Sequence, residues 1–174
     1  VAAELEASAW RAQRRGGIAA AATFLERAAI LSADPALRSS RAIAAAEAKR
    51  EAAAPEAAYE LLSLAELNPL TELQRAQVGR LRAQMEFTRS RGGLPGAPPV
   101  RHAAGLLLDA AKRLENLDDE MARETYMEAL AAAMFTSRSQ PEASWWPRRR
   151  RAPQSKGPRR RLGLSIYSSS AWRT

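Results

Sequence analysis

The chain has 174 residues, no cysteine and a formal net charge of +8. This length allows one domain and a tail. The missing thiols exclude a disulfide framework and a cysteine zinc site and fit a reducing compartment, and no apolar run approaches the roughly 18–20 residues needed to cross a bilayer.

Apolar residues recur with helical period from the first residues onward. A first helix is expected over about residues 2–14, ended by Gly16-Gly17. The second, about 18–32, carries the stripe Ala21, Phe24, Leu25, Ala28 and Leu31. Asp34 followed by Pro35 is an N-cap with proline at the first helical position, which opens a third helix reaching about residue 52. Pro55 opens a fourth, with the stripe Ala58, Leu61, Leu62 and Ala65, and Asn68-Pro69 closes it. Thr71-Glu72-Leu73-Gln74 spells a capping box for a fifth helix, to about Arg89, with Val78, Leu81 and Met85 on its inner face. Residues 90–99, with three glycines and three prolines, read as a loop. A sixth helix is expected from about Val100 to Glu115 around Ala104, Leu107, Leu108 and Ala111. Asp118 caps a seventh, to about Thr136, with the stripe Tyr126, Leu130, Ala133 and Met134. By spacing, Met85, Met134 and Phe135 belong to the core. No stretch alternates with period two, so no strand is expected.

Seven helices on mostly short turns predict an all-α fold of stacked antiparallel helical hairpins. A weak internal repeat points the same way. Ala57-Ala58, Leu61-Leu62 and Ala65 match Ala103-Ala104, Leu107-Leu108 and Ala111 at an offset of 46. Glu72-Leu73, Arg75 and Phe87-Thr88 match Glu120-Met121, Arg123 and Phe135-Thr136 at an offset of 48. Such self-similarity is the pattern of a tetratricopeptide-like array of helix pairs.

Few residues suggest chemistry. His102, the only histidine, stands at a helix start without partners and reads as a surface or capping residue. Asp118-Asp119-Glu120 fit capping and the helix dipole better than a metal. Glu120, Glu124 and Glu128 share one helix face but lack the second helix of ligands that a di-iron centre needs. Arg14-Arg15 are ordinary dipole partners for a helix C-terminus. No nucleophile and base stand out, so the chain is expected to be no enzyme and to hold no cofactor or metal.

Leu5–Gly17 (LEASAWRAQRRGG), Ala22–Ala48 (ATFLERAAILSADPALRSSRAIAAAEA) and Ala122–Arg138 (ARETYMEALAAAMFTSR) resemble the helical middle region of large LuxR-type, ATP-binding transcriptional regulators related to the maltose regulator. The resemblance covers about residues 1–138 and rests on the phrases FLERAA, LSADP and ARETYMEAL in this order and spacing. It implies a parent with an N-terminal P-loop ATPase, a tetratricopeptide-like segment and a C-terminal helix-turn-helix. None of the nine glycines here opens a G-x-x-x-x-G-K-[ST] loop. The residues after 138 do not supply the three amphipathic helices of a helix-turn-helix. What the resemblance carries over is the segment's role: a platform for a protein partner or small-molecule inducer, coupled to the ATPase. Val1 in place of methionine fits a piece of a larger gene product or a non-standard start.

The composition changes near Ser137. Residues 1–136 hold 17 Lys/Arg and 18 Asp/Glu, whereas residues 137–174 hold 10 Lys/Arg and one acid, Glu142. The high pI therefore belongs to a basic tail on a nearly neutral body of residues 1–136. The tail, residues 137–174, has no helical or strand period and is expected to be disordered. Three readings compete for it. Arg148, Arg149, Arg150, Arg151, Arg159, Arg160 and Arg161, with Trp145, Trp146 and Trp172, could contact nucleic acid non-specifically. It could be a solvated charge run. Or it could be a GC-rich gene read out of frame, which yields Arg, Pro, Gly, Ser and Trp. If the array stops at residue 138, its last face, Tyr126, Leu130 and Met134, is left open to self-association. Glu4 and Glu6 stand where a secretory signal would be basic, so a cytoplasmic location is expected.

Overall fold

The structure, a computed structural model, describes residues 1–139, with side chains placed to residue 136. These residues form seven helices and no strand: α1 (Ala2–Arg14), α2 (Ile18–Ile30), α3 (Pro35–Glu51), α4 (Pro55–Glu66), α5 (Glu72–Arg91), α6 (Val100–Leu114) and α7 (Asp119–Ser139). Each starts and stops within about three residues of the sequence expectation, and α7 runs on past Thr136 to Ser139.

The helix ends repeat in pairs. Asp34 Oδ1 accepts from the backbone N–H of Ala36 at 2.8 Å and Leu37 at 3.3 Å. Thr71 and Gln74 form the reciprocal capping box, at 3.2 and 2.9 Å. Asp118 Oδ1 accepts from Met121 N–H at 2.9 Å. So α3, α5 and α7 each open on a side-chain cap, which satisfies donors that the first turn cannot. Helices α2, α4 and α6 have no such bond.

The C-termini follow the same alternation. At the end of α1, Gly16 N–H reaches Gln13 O and Gly17 N–H reaches Ala12 O, both at 2.9 Å. At the end of α5, Gly93 N–H reaches Ser90 O at 3.2 Å and Leu94 N–H reaches Arg89 O at 3.1 Å. At the end of α3, Ala53 N–H reaches Arg50 O at 3.1 Å and Ala54 N–H reaches Lys49 O at 2.9 Å. These paired bonds are Schellman closures, which need a left-handed residue after the cap. Gly16 and Gly93 supply it with φ of 78° and 64°, but at α3 an alanine does so with φ of 56°. An L side chain there carries a steric penalty that glycine avoids. Ala53→Gly is therefore expected to raise stability by about 0.5–1 kcal/mol after the entropy glycine adds to the unfolded chain. A lower urea midpoint for the variant would show that the turn does not hold this geometry.

Consecutive helices pack on one another, and α3 packs on α5 as well. Helix α3 is central: Ala42, Ile43, Ala45 and Ala46 are buried against α2, α4 and α5, and alanine lets the backbones approach closely. This core also holds Leu61, Leu62, Val78, Leu81 and Met85. Helix α5 turns its other face, through Ala76 and Ala83, to α6 and α7, where Leu107, Leu114, Ala122, Ala129 and Ala132 are buried.

Six residues read as core from spacing lie outside it. Leu31 is exposed because it is the C-cap of α2, where the chain already turns away; the buried face of α2 is Ala21, Ala22, Ala28 and Ala29. Leu108 is exposed because, among the described helices, α6 packs chiefly on α5 and α7, and of the pair it is Leu107 that is buried. On the last turns of α7, Leu130, Ala133 and Met134 are exposed, and Phe135 is partly exposed while it meets Phe87 edge-on at 6.2 Å. No described helix follows α7 to cover them.

Candidate functional site

Helices α1, α3, α5 and α7 are joined across a common face by side-chain bonds. Arg41 Nε on α3 donates to Glu6 Oε2 on α1 at 3.1 Å. Gln74 Nε2 on α5 donates to Ser40 Oγ on α3 at 2.9 Å. Arg80 Nη2 on α5 donates to Glu124 Oε2 at 3.2 Å and Glu128 Oε1 at 3.5 Å on α7. Gln84 Nε2 adds bonds of 2.9 and 2.6 Å to the two oxygens of Glu128. Glu124 and Glu128, two of the three carboxylates that share a face of α7, thus serve to join helices.

Between α1 and α3 this face opens into a groove of about 250 Å³. Its walls are Glu6, Ala9, Trp10 and Gln13 of α1 and Ala44, Glu47, Ala48 and Glu51 of α3, with Leu25 of α2 at the floor. Small alanines make the hollow: Ala9 and Ala48 are buried and leave space where larger side chains would fill it. Trp10 stands over it with 64% of its surface exposed. Three carboxylates line the groove and no Lys or Arg side chain does. Glu6 is shared with Arg41, and Glu51 lies 3.6 Å from Arg50. Glu47 is half-buried and has no hydrogen bond or ion pair among the described residues. The nearby Lys49 is held away by Glu26 on α2, at 2.6 Å.

Glu47 also borders a second, smaller hollow of about 30 Å³, between α3, α5 and α7, with Arg80, Gln77 and Met121. Arg80 is only 8% exposed, and its Nε–H has no acceptor. A third hollow, of about 360 Å³ between α5 and α6, mixes Glu72 with Arg75 and Arg113 and carries no single charge.

Two tyrosines titrate above the usual phenol range, and neither lines the groove. Tyr59 is pushed up first by burial and then by its 2.7 Å bond to Glu86. Tyr126 is pushed up first by its hydrogen bond to Glu115, then by burial.

The residues expected from sequence to form an association face are not alike. Leu130 and Met134 are exposed, at 56% and 61%, and Met127, one turn earlier, joins them. Tyr126 is half-buried and donates its hydroxyl to Glu115. If Leu130 and Met134 draw copies together, then replacing both with Gln is expected to lower the apparent mass in light scattering. A monodisperse monomer that is indifferent to the change would refute this. His102 is exposed in the first turn of α6, and no three described His, Cys, Asp or Glu side chains are grouped to hold a metal ion. No described helix is long and apolar enough to cross a membrane. Arg148–Arg151 and Arg159–Arg161 lie outside the described residues.

Sequence reasoning passed over Trp10 and Glu47. One signal was available: Trp10 is the sole tryptophan before residue 145 and stands one turn after Glu6 in an alanine-rich helix. No family model matches the chain, and no curated protein or solved structure is significantly similar to it.

Proposed function

We propose that this chain is a non-catalytic helical-repeat segment of a LuxR-type, ATP-binding transcriptional regulator, acting in the cytoplasm. Its helix pairs form a tetratricopeptide-like array, and the face of α1, α3, α5 and α7 receives a protein partner or small-molecule inducer. Binding there changes how the pairs sit on one another and couples that change to the parent's ATPase. No catalytic residue or cofactor enters this reading.

The observation that carries the reading is the alternation of helix ends. Every odd helix after the first opens on a side-chain cap, and α1, α3 and α5 close on Schellman bonds. A unit of two helices recurring with the same punctuation is what a helical-pair array requires. The offset of 48 supports it as well: Arg80 bonds Glu128 and Phe87 meets Phe135, each partner being the same position one unit later.

Sequencing the source locus tests the proposal. A P-loop ATPase upstream and resumed helix pairs with a helix-turn-helix downstream are the expected result. A reading frame closed at both ends would overturn it. The charge of residues 137–174 favours a second reading, a stand-alone helical adaptor whose tail binds nucleic acid. That reading requires binding to arbitrary DNA which falls steeply with salt and is lost on deleting residues 139–174.

A further inference from the structure

We propose that the outer face of α7 pairs with the same face of a second copy of this chain, the two helices running antiparallel about a two-fold axis between Leu130 and Ala131. The proposal stands apart from the regulator reading, because it concerns how this chain meets itself. Helix α7 is apolar on two sides. Ala122, Ala129 and Ala132 are buried against α5 and α6. On the other side Met127, Leu130, Ala131 and Met134 fall at i, i+3, i+4 and i+7, and all four are exposed, the larger three at 63%, 56% and 61%. Single exposed apolar residues are ordinary, but a stripe of them at helical spacing marks a contact surface.

The next helix pair of the array is not what covers it. Leu130 and Met134 come 48 residues after Arg82 and Glu86, and those two turn back to α4. Arg82 Nη2 donates to Glu66 Oε2 at 2.6 Å, and the Tyr59 hydroxyl donates to Glu86 at 2.7 Å. By the repeat, positions 130 and 134 therefore lie off the surface that receives another pair. The stripe is instead complementary to itself. A two-fold contact requires that where residue i meets j, j also meets i. The order Met-x-x-Leu-Ala-x-x-Met meets that condition about its midpoint. Met127 faces Met134 of the second copy, and Leu130 faces Ala131, a large side chain over a small one. Large against small is how close helix faces interlock, and methionine adapts to the surface opposite it.

Charge selects antiparallel over parallel. Arg123 and Glu124 flank the stripe on its N-terminal side and are exposed. Parallel helices would set each against its own counterpart, whereas the antiparallel pair keeps the two Glu124 residues about 20 Å apart along the helix axis. A stripe two turns long covers less than the roughly 800 Å² that a standard interface takes from each partner, so the pair is weak and depends on concentration.

The chain has no cysteine, so one introduced thiol reports one position. Full-length Met127→Cys and Met134→Cys chains, one of them isotope-labelled, are mixed and oxidised. Leu67→Cys, exposed at the end of α4, is the control. Helices about 8–10 Å apart bring facing Cα atoms within disulfide reach. The mixed 127–134 disulfide is expected to form at least about tenfold faster than 127–127, 134–134 or any Leu67→Cys product. For the unaltered chain, sedimentation velocity should show monomer passing to dimer and no further as concentration rises. Ala131→Glu sets a carboxylate against Leu130 of the second copy, and should abolish the dimer while leaving the circular dichroism spectrum unchanged. Faster 127–127 and 134–134 products would show parallel pairing and overturn the two-fold antiparallel form. Equal rates for all pairs would overturn the contact itself. Mass that keeps growing past the dimer would mean head-to-tail contacts, which do not close, and would overturn it too. So would a monomer at every concentration: thiols at 127 and 134 that resist alkylation, unlike that of Leu67→Cys, would then name another segment of the chain as the cover, and open thiols would leave the face bare.

Discussion

Leu62→Ala is expected to destabilise the helical body by about 3 kcal/mol. Leu62 is fully buried in α4 and is among the largest side chains in a core otherwise rich in alanine. The transfer of its lost methyl groups to water accounts for part of the cost. The rest depends on how far the surroundings collapse into the space. Ala42, Ala45, Ala46, Ala58 and Ala65 have no side-chain torsion with which to fill it. Met85 is the most flexible of the larger neighbours in this core. The cavity should therefore persist, and the loss should lie in the middle of the range for such truncations and not at its foot. Leu67→Ala is the internal comparison, because Leu67 is exposed at the end of α4 and its truncation should cost less than about 0.5 kcal/mol. Urea unfolding followed by far-ultraviolet circular dichroism reads both. A Leu62→Ala loss below about 1 kcal/mol would mean that α4 does not seat on α3 and α5 as described.

That contrast also marks where sequence reading worked. Helix number and ends were legible because they are set by local chemistry: Asp34-Pro35, Thr71 with Gln74, Asp118 and the glycines at 16 and 17 act within one turn of themselves. The apolar stripe of α4 was legible because one wide face of that helix is covered. Leu31, Leu108, Leu130, Ala133, Met134 and Phe135 were misread because period alone cannot say whether a neighbour covers the stripe, and at the cap of α2, the outer side of α6 and the end of α7 no described helix does. The Ala53 turn was invisible for a related reason: the left-handed residue there is not glycine, so nothing in the sequence distinguishes it. The groove could not be read at all from a single segment. Trp10 and Glu47 are 37 positions apart, and α2 must fold back between their helices before they share a wall. Glu124 and Glu128 were likewise seen only as neighbours on one helix, since their partner is on α5.

Glu128→Ala is expected to cost about 2 kcal/mol, the value of a hydrogen-bonded charge whose partners stay buried. Glu128 receives Gln84 Nε2 on both oxygens and shares Arg80 with Glu124. Arg80 and Gln84 are 8% and 7% exposed, so neither can turn to solvent when the carboxylate is removed. Gln84 Oε1 already has no partner, and losing the acceptor for its amide group leaves the whole side chain unsatisfied. Glu124 differs: its side chain is 60% exposed, so Glu124→Ala should cost less than about 1 kcal/mol and lose that little in high salt. Gln84→Ala with Glu128→Ala should cost less than the two single losses together, by about 1 kcal/mol, because each single change strands the other group. The size of that coupling decides what holds one helix pair to the next. If Glu128→Ala and Glu124→Ala cost the same and no coupling is found, the buried network contributes nothing specific. The junction between α5 and α7 would then rest on the Phe87–Phe135 edge contact and the small alanine faces around it. If the coupling is found, the α5–α7 joint has a fixed register, and the two helices can slide on one another only by breaking the buried bonds of Gln84 and Arg80 to Glu128.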